Sequence, residues 1–251
     1  MAEDNYQRFA RLRFDDFRRM ALDESLSRYE KIGFPDAYRE GKEGLIFHSI
    51  VAGLPLLKTR DKIVLDVGPG CSELPHMLIG LCRDLGHQLL LVDSGEMLSH
   101  LPDERFIRKF AAYYPQCEDL FEEYRSKVDV ILAYSVLHYV FVEGNLWDFV
   151  DSSLQLLAEG GEMLIGDIPN ISKRKRFFRS ANGIRFHQQF TKSQTLPEVN
   201  FNCIERQQID DSVVLAIITR VRNQGFDAYV LPQPAALPMA NRREDILIRR
   251  P

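Results

Sequence analysis

The chain contains 251 residues, of which 45% are hydrophobic and 27% charged, and its formal net charge is −4. This composition is typical of a soluble globular protein, and an acidic chain has no overall positive field that would attract nucleic acid. The N-terminal residues are too charged for a signal peptide, and no apolar run is long enough to span a membrane. We therefore expect a cytoplasmic protein whose partner is a small molecule rather than nucleic acid or a membrane.

Four cysteines are scattered along the chain, with no CxxC pair and no histidine at metal-ligand spacing. This pattern predicts reduced thiols and no metal site. The length suits one large α/β domain with additions. The sequence leaves open whether the chain forms a homodimer.

Residues 1–60 are expected to form a helical extension. The apolar residues between Asp4 and Leu22 have the spacing of an amphipathic helix. A second helix is expected to begin near Asp36, just after Pro35. His48 lies on an apolar face of this second helix, which predicts a hydrogen-bonded histidine in the core. Residues 61–251 are expected to form the main domain.

The stretch 62–101 organises the rest of the chain. An apolar run, 63–67, ends in Gly68-Pro69-Gly70, a segment with helical spacing follows, and a second apolar run ends at Asp93. Glycine lets the chain turn sharply and lets a ligand lie against the main chain, while the following helix offers unpaired N–H groups. The carboxylate of Asp93 can accept two hydrogen bonds from a ribose. The pattern therefore predicts a nucleotide site.

The details of this site favour a cationic ligand over a diphosphate. A dinucleotide site carries G-x-G-x-x-G, whereas Glu73 stands here at the third glycine and would repel a diphosphate. Asp66, two residues before the first glycine, suits a cation. The stretch VLDVGPG followed by LLLVDSGEML resembles the class I S-adenosylmethionine-dependent methyltransferases. A glycine turn without function and an NAD site are the alternatives.

This resemblance implies S-adenosylmethionine as the cofactor, with the glycine loop under its amino-acid part and Asp93 on its ribose hydroxyls. In such families an N-terminal segment often folds over the cofactor, so the resemblance makes Tyr29 and Arg39 candidates for a lid, with Arg39 facing the methionyl carboxylate. A corner between two helices with solvated charges explains them equally well. The expected cofactor-binding residues are Tyr29, Arg39, Asp66, Gly68, Pro69, Gly70, Asp93, Ser94, Met97 and Ser135.

Strands and helices alternate after Asp93. Strands are expected at 105–110, 128–134, 162–166, 226–231 and 245–249, and helices at 116–126, at 145–157 with an end at Gly160-Gly161, and from Asp210 or Asp211 onwards. The loop between the last two strands is too short for a crossover helix, so they should be antiparallel neighbours. The expected fold is an α/β, seven-stranded, Rossmann-like, doubly wound sheet with an antiparallel C-terminal strand.

Residues 168–209 contain no clear strand, and they leave the carboxyl end of a strand, where open parallel sheets bind ligands. We expect this segment to form a lid over the acceptor. Its basic residues make it a candidate anion site, and a solvated charged face is the alternative. The expected substrate-binding residues are Arg176, Arg179, His187 and, ahead of the last strand, Arg242.

Two residues at strand ends are candidates for catalysis. His138 follows the fourth strand and titrates near neutrality, although it could simply hold a strand-helix corner. Asp167 ends the fifth strand and could accept a proton, orient an acceptor, or cap the turn formed with Pro169 and Asn170.

With the resemblance, these features predict a methyltransferase acting on O or N of a small, polar, anionic acceptor such as a sugar or nucleotide-sugar. An NAD-dependent oxidoreductase or epimerase, and a binding protein without turnover, remain alternatives.

Overall fold

A seven-stranded sheet forms the centre of the chain in a computed structural model that describes Phe9 and residues 12–203 and 205–251. Its strands lie in the order β3-β2-β1-β4-β5-β7-β6. Strands β1 to β5 are parallel, and β7 is antiparallel to both of its neighbours. The strands are β1 (Ile63–Val67), β2 (Gln88–Asp93), β3 (Ile107–Ala111), β4 (Val128–Tyr134), β5 (Leu157–Pro169), β6 (Asp227–Pro232) and β7 (Arg243–Arg249). The expected fold class and the antiparallel pairing of the last two strands are confirmed.

The sheet is covered on both faces, which explains why its central strands are almost continuously apolar. Alternate residues of a strand point to opposite faces. Val64 of β1 therefore belongs to an apolar cluster on one face, together with residues of helices α4 (Glu43–Gly53) and α5 (Glu73–Leu85). Leu65 belongs to a cluster on the other face, together with residues of α9 (Leu146–Leu156) and α12 (Asp211–Asn223).

The remaining helices have between four and eleven residues. In the N-terminal part they are α1 (Phe14–Leu22), α2 (Arg28–Lys31) and α3 (Asp36–Arg39). Within and after the sheet they are α6 (Gly95–Leu98), α7 (Glu118–Tyr124), α8 (Leu137–Glu143), α10 (Ile171–Arg179) and α11 (Ala181–Thr191), with 3-10 turns at Pro55–Lys58 and Ala240–Arg242. Among the residues that the structure describes, no helix combines the length and the apolar character needed to cross a bilayer.

Several boundaries differ from those expected. The first helix begins at Phe14, and the part of the expected helix in residues 4–8, 10 and 11 lies outside the described residues. The second expected helix is divided into α3 and α4 around Gly41, whose φ is +67°. His48 is exposed rather than buried, with its Nδ1 2.6 Å from the carbonyl oxygen of Gly44.

The glycine pair does not end a helix. Helix α9 stops at Leu156, and β5 begins at once because Leu157 pairs with Val128 of β4. The register of this pair shifts before the next paired residues, and Gly160, with a φ of +71°, lies in this irregular stretch of β5. An additional helix, α8, follows β4, and the long segment after β5 contains α10 and α11.

Candidate functional site

The turn after β1 exposes its main chain. Gly68 and Gly70 have φ values of +68° and +66°, a region that residues with a Cβ rarely adopt. The surroundings also require glycine. A Cβ at position 68 would lie 2.7 Å from Cγ2 of Val136, and a Cβ at position 70 would lie 2.6 Å from Cγ2 of Ile32. A ligand can therefore approach the backbone of this turn closely.

The carboxylate of Asp93 is joined to this turn. The N–H of Gly70 donates to its Oδ2 at 3.1 Å, and the N–H of Ser94 donates to its Oδ1 at 2.7 Å. Burial raises the pKa of Asp93 to about 6, although both hydrogen bonds favour the charged form. The glycine turn and Asp93 both line one pocket.

Asp66 lies behind the turn and is 5% exposed. Burial, with a smaller contribution from the charge of Asp93, raises the pKa of Asp66 to about 8. Asp66 is not among the described residues that line the pocket. The structure therefore places this acid beneath the site and not on its surface.

The pocket itself has an empty volume of about 950 Å³, including space open to solvent. Its floor is formed by residues at the ends of β1, β2 and β3, and its roof by residues of the N-terminal helical segment. The roof residues are Phe14, Phe17, Ile32, Phe34 and Arg39. Because most of these groups are apolar or aromatic, the pocket suits a ligand with a flat apolar part and few polar groups.

Helix α1 is fixed over the pocket by ring contacts and one carboxylate. The ring of Phe14 meets that of Tyr113 edge-on at 5.0 Å, and the ring of Phe17 meets that of Tyr139 at 4.9 Å. The N–H of Phe14 donates to Oε2 of Glu143 at 2.9 Å. An N-terminal segment therefore covers the pocket.

Arg39 connects this segment to the strand ends. Its guanidinium is buried and lies 4.2 Å from the ring centroid of Phe34. Nη2 donates to Oγ of Ser135 at 2.8 Å and lies 3.5 Å from Oδ2 of Asp167. Nη1 lies 4.0 Å from Oε1 of Glu43, a buried carboxylate whose pKa is raised by burial. Arg39 lines the pocket, but carboxylates and a hydroxyl already surround it.

Asp167 is the centre of this network. Its carboxylate accepts hydrogen bonds from the hydroxyl of Ser135 and, at 2.5 Å, from Nη1 of Arg243. Its N–H donates to Oδ1 of Asp245 at 2.8 Å. A carboxylate held by two guanidiniums and a hydroxyl is suited to positioning its neighbours rather than to accepting a proton. Asn170, and not Asp167, caps the following helix.

The backbone around this network is strained. Ser135 and Asp167, which follow β4 and lie near the end of β5, have φ values of 61° and 60° without being glycine. Asp167 also lies in a bulge, because β5 pairs Ile165 with Ile246 but Ile168 with Glu244. Such conformations persist where surrounding contacts enforce them, and they concentrate at functional sites.

A second pocket lies on the other side of Tyr139, a residue that lines both pockets. Its walls come from α8, from the segment after β5, and from the turn before β7, and its empty volume is about 1520 Å³ with open solvent included. His138 lines this second pocket. Asp167 lies between the pockets, since its partners Arg39 and Ser135 line the first and Arg243 lines the second.

His138 is neutral in this environment. Burial, followed by the positive charge of Arg243, lowers the pKa of His138 to about 3. Its Nδ1 is buried and has no hydrogen-bond partner among the described residues. The ring packs against that of Tyr139 at 4.0 Å between centroids. His138 therefore offers the second pocket a neutral imidazole with one nitrogen unpaired among the described residues.

The structure brings most of the expected cofactor residues together. Those that line the first pocket are Arg39, Gly68, Pro69, Gly70, Asp93, Met97 and Ser135. Tyr29, Asp66 and Ser94 are buried outside the described lining; Ser94 caps α6 by accepting from the N–H of Met97 at 3.2 Å.

The expected acceptor residues are largely elsewhere. Arg242 lines the second pocket, but Arg176, Arg179 and His187 are not among the described residues lining either one. Arg176 is paired with Asp211 instead, and Arg179 is exposed at the end of α10. The helical geometry of α10 turns these side chains away from the pocket that Arg174 lines.

Some lining residues lacked a motif in the sequence. Ala112, Tyr113 and Tyr114 follow β3 and line the first pocket beside Asp93. The available signal was their position, because strand ends of an open parallel sheet border its ligand crevice. The aromatic residues of α1 could not be assigned in this way, because their packing depends on the fold of the whole chain.

Comparisons with solved structures identify the fold. CurJ carbon methyltransferase matches with a TM-score of 0.56 and 15% identity, over 99% of this chain and 67% of that one. The N-methyltransferase NodS from Bradyrhizobium japonicum WM9, in complex with S-adenosyl-L-homocysteine, matches with a TM-score of 0.57 and 14% identity, over 95% and 98%. The plantazolicin methyltransferase BpumL, also in complex with S-adenosylhomocysteine, matches with a TM-score of 0.56 and 10% identity, over 94% and 99%. No protein-family model and no curated protein matches the chain.

The chain therefore has the fold of the class I S-adenosylmethionine-dependent methyltransferases. Its strand order and antiparallel β7 define that fold, and its glycine turn and Asp93 lie at the carboxyl ends of β1 and β2, where such a sheet binds ligands.

Proposed function

We propose that this chain is an S-adenosylmethionine-dependent methyltransferase that transfers a methyl group to O or N of a small, polar, anionic acceptor, for example a sugar or nucleotide-sugar. One observation carries the proposal: Gly70 and Asp93 are hydrogen-bonded to each other at the edge of a pocket that no side chain fills. We place the reaction in the cytoplasm, and the free state of all four cysteines, including exposed Cys203, supports a reducing compartment.

The residues of the first pocket fit this cofactor. The turn at Gly68 and Gly70 leaves room that a Cβ would occupy, and Asp93 supplies the acidic group that can accept hydrogen bonds from a ribose diol. Met97 and Tyr113 give apolar surface for the adenine. Arg39 would hold the carboxylate of the amino-acid part, in addition to its contact with Ser135.

When bound, S-adenosylmethionine supplies a methyl group on a positively charged sulfur that a nucleophilic O or N can attack. The chain mainly has to align the two reactants, because alignment contributes about 7–11 kcal/mol to catalysis, whereas a general base contributes roughly 3–5 kcal/mol. The network of Arg39, Ser135 and Asp167 fixes the wall between the two pockets and is suited to this task.

His138 is the residue we assign to contact with an acceptor hydroxyl. It lines the second pocket and is neutral, so it can accept a hydrogen bond from the hydroxyl, whereas a pKa lowered to about 3 makes it a weak base. Asp167 was the other candidate, and its contacts support a positioning role. An amine acceptor would need His138 less, because a neutral amine is already nucleophilic.

Calorimetry with S-adenosylhomocysteine tests the proposal. We expect micromolar binding, weakened roughly a hundredfold by Asp93→Ala, because two charge-assisted hydrogen bonds are lost. Asp84→Ala is the matched control, since it removes the same charge from an exposed position of α5. Absence of heat with a folded sample would refute the proposal.

The alternatives give different results. An NAD-dependent oxidoreductase should enhance the fluorescence of NADH on binding, and Glu73, which pairs with Arg28 at 3.0 Å at the start of α5, argues against a diphosphate there. A binding protein without turnover should retain cofactor binding but transfer no methyl group to any fraction of a metabolite extract.

A further inference from the structure

The second pocket is adjacent to the first but differs from it in chemistry. The first is mainly apolar and aromatic, whereas the second is lined by five arginines, and no carboxylate is among its described lining residues. These arginines come from four parts of the chain: Arg13 before α1, Arg174 in α10, Arg206 in the following segment, and Arg242 with Arg243 before and at the start of β7. In a chain with a net charge of −4, such a local excess of positive charge is unusual.

Two of these arginines form ion pairs with carboxylates that lie outside the second pocket. Arg13 pairs with Glu143 at 3.6 Å, and Arg243 with Asp167 at 2.5 Å. Neither carboxylate lines the second pocket. The charged groups that this pocket presents to a ligand are therefore guanidiniums, which attract anions and repel one another.

Two of the arginines are oriented by a single ring. The guanidinium carbon of Arg174 lies 5.1 Å from the ring centroid of Phe178, and that of Arg242 lies 5.8 Å from it. Contact with an aromatic face reduces the freedom of a guanidinium, so that less entropy is lost when it binds an anion. Arg174 and Arg242 thus converge from different elements on one side of the pocket.

The backbone of the pocket is strained at two places. Gln207 and Met239 both line it, and both have positive φ values, of 61° and 59°, without being glycine. Gln207 directly follows Arg206 in the sequence, and Met239 lies shortly before Arg242. Backbone strain of this kind is usually retained where it serves a site.

We propose that the acceptor carries a phosphate ester, and that Arg174, Arg206 and Arg242 bind this phosphate in the second pocket. A phosphate offers several oxygens to different guanidiniums at once and carries up to two negative charges, whereas a carboxylate offers two oxygens and one charge. Three arginines on three elements match the phosphate better. This inference rests on the proposed methyltransferase function.

Tyr139 defines the direction of the bound acceptor. Tyr139 lines both pockets, so an acceptor held by its phosphate in the second pocket would have to pass Tyr139 and His138 to reach the first. His138 then lies beside the part of the acceptor nearest the cofactor. The methylated atom would therefore belong to the non-phosphate part of the acceptor.

Titration with inorganic pyrophosphate tests the anion site without any methyl transfer. We expect binding by calorimetry at low ionic strength, weakened about tenfold by Arg174→Ala and by Arg242→Ala. Arg179→Ala is the matched control, because it removes the same charge from the same helix at an exposed position outside the described lining. It should change the affinity by less than about twofold.

The outcomes separate the two proposals. Binding of S-adenosylhomocysteine without binding of pyrophosphate, or equal weakening by Arg179→Ala and the pocket variants, overturns the phosphate site alone. Acetate binding as tightly as pyrophosphate also overturns it, in favour of a carboxylate. Pyrophosphate binding with no binding of S-adenosylhomocysteine supports the anion site but removes the methyl donor, and with it the proposed reaction. Circular dichroism of each variant confirms that it is folded.

Discussion

Replacing Gly70 by alanine should disturb the cofactor turn specifically. The added Cβ would lie 2.6 Å from Cγ2 of Ile32, and the residue would have to keep a φ of +66°. Its N–H also donates to Asp93, so any backbone movement that relieves the clash changes the position of this carboxylate. The substitution therefore tests whether the glycine turn, the N-terminal segment that holds Ile32 and the carboxylate of Asp93 depend on one another.

The two costs can be estimated separately. The left-handed conformation costs alanine about 1–2 kcal/mol relative to glycine. The clash is with a flexible side chain, which can move at a cost of about 1 kcal/mol by leaving its rotamer. Together these contributions predict a loss of roughly 2–3 kcal/mol in the free energy of unfolding and, because Ile32 belongs to the roof, weaker binding of S-adenosylhomocysteine.

Gly80→Ala is the matched comparison. Gly80 lies within α5, and a Cβ there would meet nothing within 4 Å. Alanine is favoured over glycine in a helix by about 0.5–1 kcal/mol, so this variant should be more stable than the original chain. Urea unfolding and calorimetry with S-adenosylhomocysteine measure both effects. Unchanged stability and affinity in Gly70→Ala would refute the reasoning.

Three further predictions concern charge and the lid. Because burial raises the pKa of Asp66 from 3.8 to about 8, the folded state binds an extra proton between these values, so stability should fall as pH rises through this range. Asp66→Asn should remove this loss, which is about 4 kcal/mol between pH 5 and pH 9. Urea unfolding at pH 5, 7 and 9 would contradict the prediction if the original chain showed no decline. Arg39→Ala should lower the free energy of unfolding by about 3–5 kcal/mol, since it leaves buried Asp167 without one of its two guanidiniums. A loss below about 1 kcal/mol in the same assay would show that Arg243 alone stabilises the charge of Asp167. Glu143→Ala removes the acceptor of the N–H of Phe14, so hydrogen exchange in α1 should accelerate while exchange in β1 stays unchanged, and equal acceleration in both would argue against a separable lid.

The sheet could be predicted from the sequence because its strands are buried on both faces. The strand at 128–134 was expected with the observed bounds, since a run such as VDVILAY allows little else in a parallel sheet. The prediction that the glycine pair ends a helix is wrong, because glycine ends helices and also permits irregular strands. The choice at Gly160 depended on the pairing of Leu157 with Val128, which is a tertiary contact.

The cofactor site was partly predictable for a related reason. The glycine turn and Asp93 are local features at the ends of two strands, and the topology of the parallel sheet brings these strand ends together. The acceptor site was not predictable in detail, because which arginines of a basic run face inwards depends on the rotation of α10. The sequence predicts an anion site in this segment and favours Arg176 and Arg179, whereas Arg174 is the residue of α10 that lines the second pocket.

Of the seven described residues that have a positive φ value without being glycine, four lie at the two pockets, whereas Asp61, Ser126 and Lys192 lie elsewhere. Ser135, Asp167, Gln207 and Met239 all have positive φ values without being glycine, and all four line or separate the two pockets. A chain selected for stability alone would place glycine at such positions, since glycine adopts them without strain. Glycine would, however, remove the hydroxyl that joins Arg39 to Asp167 and the carboxylate that holds Arg243. The strain at these two positions is therefore the consequence of needing a polar side chain and a sharp backbone turn at the same place, between the two pockets.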